Sequence, residues 1–149
     1  LMQTPTLTVS EIQWGSQVYL QTLALRHEIL RKPLGLVFDP GIFGAESEDH
    51  HIVAKQGDWV VGCMILSKTG DAMKMRQVAV ANELQRRGVG ASMVRLAEEI
   101  AKNKHAKCMV LHARDTAIPF YLSMGYEIAG EGFMEVGIPH HAMRKSLVD

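Results

Sequence analysis

Between residues 85 and 91 the chain reads Gln-Arg-Arg-Gly-Val-Gly-Ala, a spacing suited to holding an anion with backbone rather than side chains. Gly88 and Gly90 carry no Cβ, so a ligand can approach the main chain closely there. If a helix starts at this point, its first N–H groups have no partner inside it and its dipole adds partial positive charge. That combination suits a phosphate, and Arg86 and Arg87 add full charges. Two phosphate motifs are excluded. A dinucleotide fingerprint needs a third glycine where Met93 stands, and a P-loop needs Gly-Lys-Ser/Thr where Gly90-Ala91-Ser92 stands. Taken alone, Gly-Val-Gly remains open between an anion site and a tight strand-to-helix turn. The adjacent histidines His50-His51 and His140-His141 are poor metal pairs, because neighbours on a strand point to opposite faces. Cys-x-x-Cys, His-Glu-x-x-His and Gly-x-Ser-x-Gly are all absent. Cys63 and Cys108 lie in apolar strand patterns and read as buried, inert thiols.

The elements that must position this loop follow from periodicity. Leu7 to Ile12 alternates as a strand, and Gln17 to about Arg31 reads as a helix behind a Ser16 cap. Val18, Leu25 and Ile29 form its stripe, and Pro33 and Gly35 stop it. Residues 38–49, with Pro40, Gly41 and Gly44, read as a loop. His51–Ala54 and Trp59–Leu66 flank a Gly57-Asp58 turn and form a hairpin. Met73 to Val80 is a strand whose alternation slips: Met73 and Met75 share one face, Val78 and Val80 the other. Such a slip predicts a bulge near Gln77. Gly88 to Lys102 is strongly amphipathic, with Val89, Met93, Leu96, Ala97 and Ile100 on one stripe. Cys108 to Leu111 reads as a strand buried on both faces. Thr116 to Met124 is a short helix ended by Gly125. Tyr126–Glu135 and His141–Leu147 form a last hairpin around Gly137. Strand–helix–strand–helix–strand after Met73 predicts an α/β domain with a parallel pair beneath the long helix.

With 149 residues, 47% apolar and 21% charged, the chain fits one domain spanning residues 1–149 and is not disordered. Sixteen basic against sixteen acidic residues give a net charge of 0, which argues against a nucleic-acid partner. No apolar run is long enough to span a bilayer and no signal pattern is visible, so no membrane partner is expected. Two cysteines do not make a disulfide framework, and the expected location is cytoplasmic.

Gln/Arg-x-x-Gly-x-Gly/Ala after a strand ending Val78-Ala79-Val80 resembles the acetyl-CoA signature of the GNAT superfamily of N-acetyltransferases. Ala117-Ile118-Pro119-Phe120-Tyr121-Leu122-Ser123-Met124-Gly125-Tyr126 resembles that family's Ala-x-x-Phe-Tyr-x-x-x-Gly-Phe/Tyr segment. The order of elements agrees over residues 50 to 149. The run Phe133-Met134-Glu135-Val136-Gly137-Ile138-Pro139-His140 is similar to that of small bacterial members distantly related to glucosamine-6-phosphate acetyltransferases. The resemblance implies an α/β (in some schemes α+β) fold: a mixed, mostly antiparallel sheet with a splayed parallel central pair and flanking helices.

It also implies a chemistry: transfer of acetyl from acetyl-CoA to a primary amine of a small molecule or peptide, by direct attack on the thioester. Backbone groups of Val78 and Val80 would pair with the pantetheine amides as an added strand. The N–H groups of Arg86, Arg87, Gly88, Val89, Gly90 and Ala91 would hold the pyrophosphate. Tyr121 matches the family's general acid, although a packed core tyrosine is the other reading. Arg114 stands where the family often has an Asn contacting the cofactor arm, so that contact is not carried over. No base is assigned among Glu83, His112, Glu135, His140 and a water chain; Glu135 and His140 flank a turn that could face the acceptor. The implied partners are acetyl-CoA as cosubstrate and a small-molecule amine, and a homodimer is compatible with the resemblance. The alternative is a catalytically silent acyl-CoA-binding sensor or interaction domain, which would have no need of Tyr121.

Overall fold

The computed structural model describes residues 6–36 and 41–148; part of the expected 38–49 loop lies outside them. The chain opens with β1 (Leu7–Ile12) and α1 (Gln17–Arg26). The Ser16 Oγ accepts the Tyr19 N–H at 3.1 Å, as a capping serine should. The expected single helix to Arg31 does not hold its pitch. It passes into a π-turn at His27–Arg31 and a 3₁₀ turn at Lys32–Leu34, then ends at Gly35. Pro33 explains the change: it lacks an N–H and its ring clashes with the carbonyl four residues back, so regular winding stops before it. A short α2 (Gly41–Ala45) stands where a loop was expected.

The hairpin follows as β2 (His50–Gln56) and β3 (Trp59–Thr69), then β4 (Ala72–Val80), α3 (Val89–Asn103) and β5 (Cys108–Arg114). A 3₁₀ turn at Asp115–Ala117 leads into α4 (Ile118–Ser123). The expected strand from Tyr126 to Glu135 is broken into β6 (Glu127–Ile128) and β7 (Phe133–Glu135), both paired to β8 (Ile138–Ser146). Gly130, at φ 111°, takes the chain out of strand geometry between them.

Among the described residues these strands form one eight-stranded sheet, ordered β1-β2-β3-β4-β5-β8-β6 with β7 beside β8. All its pairings are antiparallel except β4–β5. This is the mostly antiparallel sheet with a central parallel pair expected above. α3 covers one face, where Val89, Met93, Val94, Ala97 and Ala101 pack on Ile52, Met64, Leu66, Met75, Met109 and Leu111. The expected stripe is rotated slightly: Leu96 and Ile100 are half-buried, while Val94 and Glu98 are buried. Glu98 accepts hydrogen bonds from Tyr126 Oη at 2.7 Å and Lys145 Nζ at 3.1 Å, and Lys145 also donates to the Met124 carbonyl at 2.9 Å. These bonds join α3, the end of α4 and β8. Burial, with Glu98 beside it, drives the Tyr126 pKa far above its ordinary value.

α1 packs on the opposite face, over β3 and β4. Its buried residues are Tyr19, Thr22 and Arg26, not the expected apolar Val18, Leu25 and Ile29, which are half-buried. No helix among the described residues is long and apolar enough to cross a membrane.

Candidate active site

The bulge expected near Gln77 is present. Cys63 faces Ala79 and Ile65 faces Arg76, so Gln77 and Val78 together occupy the place opposite Met64. Gln77 takes the left-handed conformation, φ 53°. A bulge bends its strand, and here it turns β4 away from β5. The two strands pair only from Ala72–Cys108 to Met75–Leu111, yet β4 continues to Val80 and β5 to Arg114. The result is a V-shaped gap, and the edge of β4 carrying Val78 and Val80 faces it with no ladder partner. An extended chain could add there as a strand.

The gap leads to the glycine loop. Gln85 Nε2 donates to the Val80 carbonyl at 3.1 Å and to Asn82 Oδ1 at 3.2 Å, which folds the loop back on the end of β4. Arg86 (φ 66°) and Gly88 (φ 86°) are left-handed, and Gly88 is the N-cap of α3 with no side chain capping it. The helix start is therefore open to an external acceptor for its N–H groups. The two glycines serve different ends. A Cβ on Gly88 would meet nothing within 4 Å, so this residue faces open space in which a ligand can stand. A Cβ on Gly90 would lie 3.4 Å from Phe120 Cζ, so this glycine instead lets α4 pack close to the helix start. Arg86 and Arg87 are exposed.

Tyr121 projects from α4 into the core and is 5% exposed. Its ring packs edge-on against Phe120 and Tyr126, with centroids 4.9 and 5.8 Å away. The hydroxyl has no hydrogen-bond partner among the described residues, and burial pushes its pKa up to about 12. Such a hydroxyl is protonated at any physiological pH and is free to donate.

Along β5, Met109, Leu111 and Ala113 point to the α3 face, and His112 points to the other. His112 Nδ1 lies 3.0 Å from Glu135 Oε1, and His140 Nε2 lies 3.5 Å from Glu135 Oε2. His140 is buried, with Nδ1–H donating to the Ile138 carbonyl at 2.7 Å and its ring stacked on Phe133. Val136 (φ 47°) and Gly137 (φ 74°) are both left-handed, the geometry of a type I′ turn, which folds Glu135 back over His112. A β-branched residue is rare in that region and strained there. Three of the four non-glycine residues with positive φ among those described thus sit at the bulge (Gln77), the glycine loop (Arg86) and the turn that carries Glu135 (Val136). Glu83 is exposed on the turn Asn82–Leu84 and stands outside the His112 cluster.

The remaining histidines go separate ways. His50 Nδ1 pairs with Glu11 at 2.6 Å, His51 Nε2–H donates to the Glu46 carbonyl at 2.9 Å, and His141 Nδ1 pairs with Asp115 at 2.7 Å. Cys63 is buried and its thiol is pushed up to about 12. Cys108 is only half-buried, contrary to expectation, because it sits where β5 enters the sheet and faces away from α3.

The feature that sequence reasoning missed lies between α1 and the sheet face opposite α3. Arg26 and Glu46, each 1% exposed, pair through two hydrogen bonds of 2.8 and 2.7 Å, and Tyr19 Oη donates to Glu46 at 2.9 Å. Burial opposes both charges, yet the pairing prevails: Arg26 is held above its ordinary pKa and Glu46 below. Spacing of Tyr19, Thr22 and Arg26 on one helical face was the available signal.

A mixed sheet splayed at a bulge thus ends on an uncapped glycine helix start beside a buried tyrosine, an arrangement suited to an extended ligand that carries an anionic group. The sequence matches the acetyltransferase (GNAT) domain over residues 41–147. It is 30% identical over 122 residues to an uncharacterized N-acetyltransferase, YjcF, of Bacillus subtilis, covering 81% of this chain and 87% of that protein. The fold is similar to that of an aminoglycoside 6′-N-acetyltransferase complexed with coenzyme A, with TM-score 0.80, 15% identity, and 95% and 98% of the chains covered. It is also similar to a GNAT family acetyltransferase of Elizabethkingia anophelis with acetyl-CoA bound, with TM-score 0.72, 17% identity, and 94% and 97% covered. The chain belongs to the GNAT acetyltransferase family.

Proposed function

We propose that this protein transfers acetyl from acetyl-CoA to a primary amine by direct attack on the thioester. The observation that carries the reading is the continuous path from the unpaired β4 edge to the uncapped start of α3. Val78 and Val80 offer backbone groups to the pantetheine amides, and the N–H groups from Arg86 to Ala91 hold the pyrophosphate. Both similar structures carrying CoA or acetyl-CoA support this use of the fold.

The amine nitrogen attacks the carbonyl carbon, and the tetrahedral intermediate collapses with cleavage of the C–S bond. Tyr121 faces the departing sulfur. Its hydroxyl, at about 12, lies roughly 3.5 pH units above an ordinary thiol, so full transfer to thiolate is uphill. Tyr121 therefore acts chiefly by donating a hydrogen bond as charge builds on sulfur, with water completing the protonation. His112, oriented by Glu135, takes the proton that the attacking nitrogen must lose.

The direct test is release of CoA thiol from acetyl-CoA across a panel of amines. Amine-dependent thiol release is expected. Acetyl-CoA binding without any turnover would instead support the silent acyl-CoA-binding reading.

Two substitutions probe the parts separately. Gly88→Val places a branched side chain in the open space at the loop and forces a left-handed Val, so CoA affinity falls tenfold or more, about 1.4 kcal/mol. Its melting temperature falls modestly because of the strain. Isothermal titration with CoA measures the first effect, and unchanged affinity would reduce the loop to a turn. Glu135→Gln weakens the hold on His112, and kcat/KM for the amine falls about tenfold with CoA affinity intact. Equal steady-state kinetics in the variant would take the pair out of the reaction.

A further inference from the structure

Beside the His112–Glu135 pair, the sheet face opposite α3 carries an open groove lined by Thr69, Lys74, Val110, His112, Ala142 and Arg144. Register places two cations across it. Lys74 is the partner of Val110 in β4–β5, and Val110 is the partner of Arg144 in β5–β8. The three residues therefore form one row across adjacent strands, all on one face, with Val110 as the floor. Strands lie roughly 4.8 Å apart, so the flanking Cα atoms are about 10 Å apart and both long side chains can converge above Val110.

Neither cation has an ion pair or hydrogen bond with another side chain among the described residues. This contrasts with Arg76, the next basic residue of β4, which reaches Asp49 at 3.7 Å and Ser67 at 3.1 Å. Glu127 stands opposite Arg144 in β6 but is not within 4.0 Å of its guanidinium. Lys74 is half-buried and Arg144 is exposed, so the lysine covers the groove with its stem while both charged heads stay in water, where an anion can reach them.

We infer that the acceptor amine carries a carboxylate or phosphate, which Lys74 and Arg144 hold at the row of Val110. This rests on the acetyltransfer reading and names the class of its acceptor. His112 is two residues farther along β5, roughly 6.6 Å, so an anion above Val110 stands about 4–6 Å from a nitrogen lying between it and His112, whose proton His112 removes. Compact amino phosphates and ω-amino carboxylates have that span. Arg144 can bind either anion through two parallel hydrogen bonds, and Lys74 adds a point charge.

The test compares matched amines with the intact protein: ethanolamine against O-phosphoethanolamine, and butylamine against 4-aminobutyrate. Each anionic amine should show kcat/KM at least tenfold above its neutral counterpart at low salt, with the preference shrinking as ionic strength rises. Whichever of the phosphate and carboxylate pairs shows the larger ratio identifies the preferred anion. Lys74→Met and Arg144→Met should each lower that ratio toward one, and Glu127→Gln should raise it. A wild-type ratio near one, or a ratio unaltered in both Met variants, would overturn the inference while leaving acetyl transfer standing. If no amine is acetylated, the acetyltransfer reading fails by itself. Titration of O-phosphoethanolamine into the CoA complex then decides the site: a dissociation constant raised tenfold by Lys74→Met and Arg144→Met supports it, and no binding refutes it.

Discussion

Tyr121→Phe lowers kcat about tenfold to a thousandfold while leaving CoA affinity and melting temperature nearly unchanged. The ring is 5% exposed and packs on Phe120 and Tyr126, contacts that Phe keeps. The hydroxyl has no partner among the described residues, so removing it breaks no internal hydrogen bond. What disappears is the donor proposed for the leaving sulfur, and loss of general acid help costs about 10²–10⁴-fold, reduced here because water substitutes in part. Burial holds the hydroxyl at about 12, so deprotonation of Tyr121 causes no loss of rate below about pH 11. Single-turnover transfer is the appropriate measurement, since product release cannot then mask the step. A wild-type rate in the variant would make Tyr121 a packing residue only.

Glu46→Ala destabilises the fold by about 3–5 kcal/mol, because it removes the carboxylate that takes two hydrogen bonds from the Arg26 guanidinium in a site that is 1% exposed. At this chain length that corresponds to a fall in melting temperature of roughly 10 °C. The double variant Arg26→Met/Glu46→Met removes both charges and should be more stable than either single change. The pH dependence has a definite sign. Glu46 is held below its ordinary carboxylate pKa, so its contribution is complete above about pH 4.3 and is lost as pH falls through the lower folded value. Thermal unfolding from pH 7 to 3 should show this acid loss, and Glu46→Gln should show less of it. A cost below about 1 kcal/mol for both single variants would mean that the pair is not sealed from water.

Much of the site is local in sequence, and that part could be read directly. The glycine loop announces itself because an anion site needs glycines beside a helix start, and both lie within seven residues. The bulge was visible because an extra residue moves every later side chain to the other face, as Met75 and Val78 show. Tyr121 was found by its resemblance to a known segment, whereas its burial and unshared hydroxyl are properties of the folded core. Contacts made across the fold were not legible. His112 and Glu135 were each candidates, but 23 residues separate them, and only the left-handed Val136–Gly137 turn brings them to 3.0 Å.

The start of the chain was harder to read for a different reason. Apolar periodicity pointed to Val18, Leu25 and Ile29, whereas the helix buries Tyr19, Thr22 and Arg26. A pattern rule that assumes an oily core fails where a charge is buried against a partner 20 residues away. The split of β6 from β7 did leave a signal, since Gly130 and Gly132 interrupt the run and the apolar positions shift phase between Ile128 and Phe133.

The claim of direct transfer is best tested by one rapid-quench experiment: the protein and acetyl-CoA are mixed with and without the preferred amine, and both protein and amine are weighed by mass spectrometry. Direct attack predicts that acetyl-CoA stays intact and the protein unmodified until amine is added, after which acetyl appears on the amine at the rate of thiol release. An acetylated protein formed before amine is present would contradict the account, as would thiol release that leaves the amine unmodified.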